Sequence, residues 1–229
     1  MKKILLAAAI LPLMLTACNQ QKAPEQAKTT DAAATTTTET AAAPTTQPAA
    51  DTAQDSVLTE YMKIVAESLD KSLTAEASNS ADRMFAQSVQ PQIDSAIAMA
   101  NLQLKNGTDP LLTGIAQKIA DNATISKTLG DYLANNQDAS EAFAEKEEFN
   151  KELIELHEDL MGTADNAEAA ISADKIFAKN LLANHEAVVD LAEQQLKYGK
   201  DDSLKQLAQS LISNNEAVIT SLKDWLKAN

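Results

Sequence analysis

From about residue 56 to the end of the chain, apolar residues recur at every third or fourth position, the spacing that puts them on one face of an α-helix. Val57, Tyr61, Val65 and Leu69 mark a first helix over about 56–73. A second is expected to start at Ser80, whose hydroxyl serves as N-cap and which has Asp82 two residues further in, favourable to the helix dipole. It is expected to end at Gly107, placed for the left-handed position that closes many helices. A third begins after Asp109-Pro110, with proline suited to a first helical turn. The same order then returns. A helix is expected over about 140–161, another runs from Ser172 to Gly199, and a last follows Asp201-Asp202 with the stripe Leu204, Leu207, Leu211, Val218, Leu222 and Trp225.

The repetition is in the residues as well as in the pattern. Ser80-Ala81-Asp82-Arg83-Met84-Phe85-Ala86 recurs as Ser172-Ala173-Asp174-Lys175-Ile176-Phe177-Ala178, an offset of 92. Laid without gaps, 80–117 and 172–209 share fourteen of 38 positions, and an adjustment of one residue then aligns Leu129 and Tyr132 with Leu222 and Trp225. Asn122 and Asn214 recur near the apolar stripe and are expected to bond across the core. The chain therefore predicts an all-α domain over 55–229 built from two tandem three-helix repeats, copy one over about 56–136 and copy two over about 140–229. Two such amphipathic units would pack face to face as a bundle with approximate two-fold symmetry.

The N-terminus reads differently. Lys2 and Lys3 precede an apolar run from Ile4 to Leu15 that is too short to span a bilayer, so residues 1–17 read as a signal peptide. Leu15-Thr16-Ala17-Cys18 resembles the bacterial lipobox, which implies that Cys18 is acylated and becomes the first mature residue. That modification supplies more than the two signals that stable anchoring requires. Asn19 is not the aspartate that retains lipoproteins in the inner membrane, which implies the outer membrane, with the domain facing the periplasm or the cell surface. Residues 18–54 read as a disordered lipidated tether: ten threonines and eleven alanines fill 19–54 with Pro24, Pro44 and Pro48 and no apolar periodicity. As a flexible coil it reaches roughly 30–35 Å from the membrane.

Composition narrows the functional classes. Aromatic residues make up 3% and there are five glycines, too few for the turns and strands of a β-sandwich or barrel. The formal charge is −14, all of it in 55–229 with 15 basic against 29 acidic residues, and such a surface repels nucleic acid. One cysteine excludes an internal disulfide and a Cys-based zinc site.

Two histidines remain as candidate chemistry. His185 falls in phase with Phe177, Leu181, Val188 and Ala192; His157 lies four after Leu153 and four before Met161. An imidazole facing a core needs a hydrogen-bond partner or a metal, because an unpaired buried polar group costs about 1–3 kcal/mol. A side-chain partner satisfies it as a core histidine; a Met/His face instead suits a soft ion such as Cu(I) or Ag(I). Enzyme motifs are missing. Ile154 and Leu182 stand where a di-iron Glu-x-x-His pair needs glutamate, and His185-Glu186 lacks the second histidine of a zinc protease.

The order of these features resembles the bacterial domain of unknown function family 305. Copy two carries it as Phe177, Asn184-His185, Val188-Val189-Asp190-Leu191-Ala192, Leu196-Lys197-Tyr198-Gly199-Lys200-Asp201 and Trp225-Leu226; copy one carries Pro91-Gln92-Ile93, Ala96-Ile97-Ala98-Met99-Ala100 and Gly107-Thr108-Asp109-Pro110. The resemblance implies a ferritin-like helical bundle, and, through relatives linked to copper or silver handling in the periplasm, a Met/His metal site. Of the paired histidines only His185 is present, Gln92-Ile93 and Asn184 taking the other places. The implied ligands that survive are His157, Met161, His185 and Met99, with Met62 and Met84 as weaker ones. The expected function is a non-enzymatic envelope lipoprotein that binds copper or silver weakly; the alternative is a structural module that meets an envelope protein partner or self-associates without metal.

Overall fold

The computed structural model describes residues 48–121, 123–165 and 172–229. Among these the secondary structure is helical, with no β-strand. In chain order the elements are α1 (Pro48–Leu73), a 3-10 turn (Thr74–Ala77), α2 (Ala81–Asn106), α3 (Pro110–Ala120), α4 (Thr124–Asn135), α5 (Lys146–Asp165), α6 (Ala173–Tyr198) and α7 (Asp202–Ala228).

The helix starts follow the expected chemistry. Ser80 Oγ accepts from the Arg83 amide at 3.5 Å and Ser172 Oγ from the Lys175 amide at 3.2 Å. The Asp109 carboxylate accepts from Leu111 and Leu112, and that of Asp201 from Leu204, so each aspartate caps the helix that follows it. The helix ends depart from expectation. Gly107 has φ −78° and ψ 156°, and Gly199 has φ −65° and ψ 157°, both extended rather than left-handed. Glycine is needed there for space: a Cβ at Gly107 would run into the side-chain amide of Gln103, and one at Gly199 into that of Gln195.

Those glutamines lead to the contacts that hold α2 against α6. Gln103 Nε2 donates to Asp174 Oδ1 at 2.5 Å, and the Thr108 and Asp109 amides donate to the same carboxylate. Gln195 Nε2 donates to Asp82 Oδ1 at 2.6 Å, joined by the Lys200 and Asp201 amides. Each aspartate in the first turn of one central helix thus receives the turn that ends the other. Midway, Asn184 Nδ2 donates to Gln92 Oε1 at 2.9 Å. The partners run in opposite order along the two helices, so α2 and α6 are antiparallel.

The apolar core divides around this pair. One cluster joins Met99 and Leu102 of α2 and Phe177 and Leu181 of α6 with Tyr61 and Val65 of α1, Leu112 of α3 and Leu222 of α7. The other joins Met84 and Phe85 of α2 and Leu191 of α6 with Leu129 of α4, Phe149 and Leu153 of α5 and Leu204 and Leu211 of α7.

Three boundaries differ from the sequence reading. The single third helix expected after Asp109 is broken into α3 and α4 by a turn that includes Asp121 and Ala123, whereas α7 is continuous. The one-residue adjustment in the repeat explains the break. Each helical residue turns the axis by about 100°, so a stripe one residue short cannot keep both Leu112 and Leu129 in the core without a break between them. The helix expected over 140–161 runs over Lys146–Asp165, and α1 begins at Pro48, inside the segment assigned to the tether.

Candidate functional site

His185 sits in the middle of α6, where the 3.6-residue period turns it inward with Leu181 and Val188; it is 9% exposed. Its Nδ1 is hydrogen-bonded to Asn215 Oδ1 of α7. Asn215 in turn donates Nδ2 to the Leu211 carbonyl one turn back, at 2.6 Å. With the amide nitrogen so engaged, the oxygen is left to accept, which places the proton on His185 Nδ1 and the lone pair on Nε2. Nε2 is buried and has no hydrogen-bond partner. Burial pushes the His185 pKa down to about 4, only partly opposed by the Asn215 bond, so the ring is neutral at ordinary pH.

The ring lines a cavity of about 360 Å³ between α2, α3, α4, α6 and α7. Most of the wall is branched aliphatic: Ile93, Ile97, Ile119, Ile125, Leu211 and Val218. Ala96, Asn215 and the exposed Lys118 and Asn214 complete it.

Asn215 is the functional residue that the sequence reading missed. Repetition singled out Asn122 and Asn214, but Asn214 is exposed and Asn122 lies outside the described residues. A signal was present in the stripe of the last helix, which runs Leu204, Leu207, Leu211 and then Val218. The vacant position one turn after Leu211 is Asn215, a polar residue in a core phase.

The other expected ligands are placed separately. His157 of α5 is 6% exposed and Nδ1 makes no hydrogen bond of standard geometry. Burial lowers its pKa, with a weaker opposing pull from the Leu153 carbonyl. It does not line the cavity beside His185, nor does Met99, whose side chain is fully buried in the cluster with Tyr61 and Phe177. Met161 continues α5, and its side chain lies outside the described residues, as does Cys18. Met84 is fully buried and Met62 exposed. Among the described residues no group of three or more His, Cys, Asp or Glu side chains could hold a metal ion.

Where the resemblance implies paired histidines, the chain has an amide relay. Asn184 donates to Gln92, Gln92 Nε2 donates to Ser72 Oγ at 3.2 Å, and Ser72 donates to the Ser88 carbonyl at 3.1 Å. These buried groups bond one another in a structural network that joins α1, α2 and α6. The signal for it was the pairing of Gln92 with Asn184 across the 92-residue offset.

Two charged features complete the electrostatics. Asp174 is drawn upward by burial, but the Gln103 amide, the Thr108 hydroxyl and the backbone amides of Asp109 and Thr108 outweigh this and hold it below the usual carboxylate value. Along α5 and α6, a groove is lined by Glu152, Glu155, Asp159, Asp190 and Glu193, with Lys197 at one side paired to Glu152 at 3.6 Å. Burial and then the neighbouring charges of Glu193, Glu186 and Asp159 raise the Asp190 pKa.

Among the described residues no helix is long and apolar enough to cross a membrane. Comparison with known proteins finds no curated protein and no solved structure that matches the chain. A family model for the Domain of unknown function (DUF305) matches residues 82–226, from the first turn of α2 to the end of α7. That span carries the central helices, the contact between Gln92 and Asn184 and the His185 cavity, and the chain belongs to the DUF305 family.

Proposed function

We propose that this protein is a non-enzymatic lipoprotein of the outer membrane, anchored through acylated Cys18 with its helical domain facing the periplasm, and that the domain binds a soft ion such as Cu(I) or Ag(I) weakly through His185. The observation that carries the reading is the bare Nε2 of a neutral imidazole beside a cavity. A metal takes a histidine only in its neutral form, and burial keeps His185 in that form. A single nitrogen donor makes a weak site. His157, Met99 and Met161 would add donors only by approaching it. The absence of enzymatic chemistry is supported by the centre of the bundle, where the side chains of Asn184, Gln92 and Ser72 are held in one chain of hydrogen bonds.

We also read the domain as two tandem repeats in a ferritin-like arrangement with approximate two-fold symmetry. The reciprocal aspartate contacts support it, each pair lying 92 residues from the other, and so does the contact between Gln92 and Asn184 themselves.

Titrating the full chain with Ag(I) against a competing thiol chelator tests the metal reading. Binding should be lost in His185→Ala and kept in His157→Ala; equal affinity in wild type and His185→Ala overturns it. Cys18→Ser should release the protein from membrane fractions, and retention there overturns the anchor. The second reading, a module that meets an envelope partner without metal, is favoured by the acidic groove along α5 and α6, which suits a basic segment.

A further inference from the structure

The space behind His185 is larger than an ion needs. At about 360 Å³ it lies within the range of pockets that take small organic molecules. Ile93, Ile97, Ile119, Ile125, Leu211 and Val218 make its wall apolar, and His185 Nε2 is an acceptor with no partner, covered by neighbouring side chains, so that a donor in the cavity reaches it when a wall side chain turns aside. We propose that the cavity binds a small, neutral, largely apolar molecule carrying one hydrogen-bond donor, which His185 Nε2 accepts.

The donor follows from the lone pair. An acceptor left unpaired in a buried site costs free energy that one O–H or N–H recovers. The apolar body follows from the wall, which gains by losing water. Water alone is a poor occupant, since an ordered water needs two to four polar partners. An anion would set its own lone pairs against Nε2. An organic cation, which unlike a soft metal ion forms no dative bond to the imidazole, would be desolvated among isoleucines without a counter-charge in the wall, where the charged residue is Lys118. Lys118 and Asn214, both exposed, give a route from solvent. The inference shares one nitrogen with the metal reading and goes beyond it, because it requires no ion.

The test uses the full chain as Cys18→Ser, which avoids detergent, in the presence of a metal chelator. The probes are N-phenyl-1-naphthylamine, with one N–H donor and an emission that rises on leaving water, and 1-phenylnaphthalene, which has the same shape class and no donor. Wild-type affinity should favour the amine by about tenfold, roughly 1.4 kcal/mol. The preference should vanish in His185→Leu, and Ile97→Trp should weaken both probes. Asn215→Ala gives a second route to the same answer: freeing the imidazole tautomer should reduce the preference while the histidine stays in place. Far-UV circular dichroism checks that each variant is folded. No binding by wild type, or a preference that survives both His185→Leu and Asn215→Ala, overturns the proposal. Because the chelator is present throughout, failure here leaves the Ag(I) titration standing, and failure of that titration leaves this result standing.

Discussion

Gln103 and Gln195 each reach from the last turn of a central helix, across the glycine that follows it, to an aspartate on the opposite helix. That path explains a glycine whose backbone angles any residue could adopt. Gly107→Ala should cost about 1–3 kcal/mol in urea unfolding, because its Cβ would displace the Gln103 amide from Asp174. Gly114→Ala is the control: nothing lies within 4 Å of an added Cβ inside α3, and it should stabilise by about 0.5–1 kcal/mol. If both substitutions have the same effect, the steric account fails. Part of this contact was legible in the sequence, where Asp82, Gly107 and their counterparts stood out by repetition, but Gln103 and Gln195 were not singled out. The geometry was not legible, because a glycine after a helix is the same letter whether it supplies a left-handed turn or an open path. His185 shows the same limit. Its phase gave its burial, but its partner Asn215 comes from a different helix.

Among the helices, α3 and α7 share a start and differ in their course. Both begin with an aspartate cap. Asp109 also accepts, through Oδ2, from Trp225 Nε1 at 2.9 Å, which ties the end of α7 to the start of α3. Asp109→Ala should cost about 1–3 kcal/mol through the lost cap and the lost acceptor. Since Trp225 is the only tryptophan of the chain, its emission should shift in the same variant, and Asp201→Ala should leave that emission unchanged. An unaltered spectrum in Asp109→Ala would show that the bond does not form in solution. The capped starts of α2, α3, α6 and α7 and the apolar stripes were read correctly from the sequence because caps and periodicity act locally. The break between α3 and α4 was not, since each half keeps a good helical period and only the demand that Leu112 and Leu129 share the core with α2 forces a turn.

For the molecule as a whole, acid stability follows from the groups that folding shifts. His185 folds with its pKa lowered from 6.5 to about 4, so between those values the unfolded chain binds a proton that the native chain refuses. Stability is therefore retained above pH 6.5 and falls as pH drops toward 4, by on the order of 3 kcal/mol for this group. His157, also lowered, acts in the same direction. Asp174 adds a separate loss at lower pH, because its lowered pKa contributes stability that disappears as pH falls through the carboxylate range. His185→Leu should flatten the unfolding profile between pH 6.5 and 4 and leave the Asp174 region unchanged; an equally steep profile in the variant contradicts the burial assigned to the ring. The reciprocal contacts of Asp82 and Asp174 lie at opposite ends of the antiparallel α2 and α6, so each fastens one end of the bundle.

Both readings of the cavity depend on the protonation of one ring, and nitrogen-15 NMR of the histidine side chains observes it directly. At pH 7 the His185 ring should be neutral, with the proton on Nδ1 and an unprotonated Nε2, and it should remain so down to about pH 5. The Nε2 resonance should move when Ag(I) or N-phenyl-1-naphthylamine is added. A His185 ring that carries its proton on Nε2, or that titrates near 6.5, would contradict both readings.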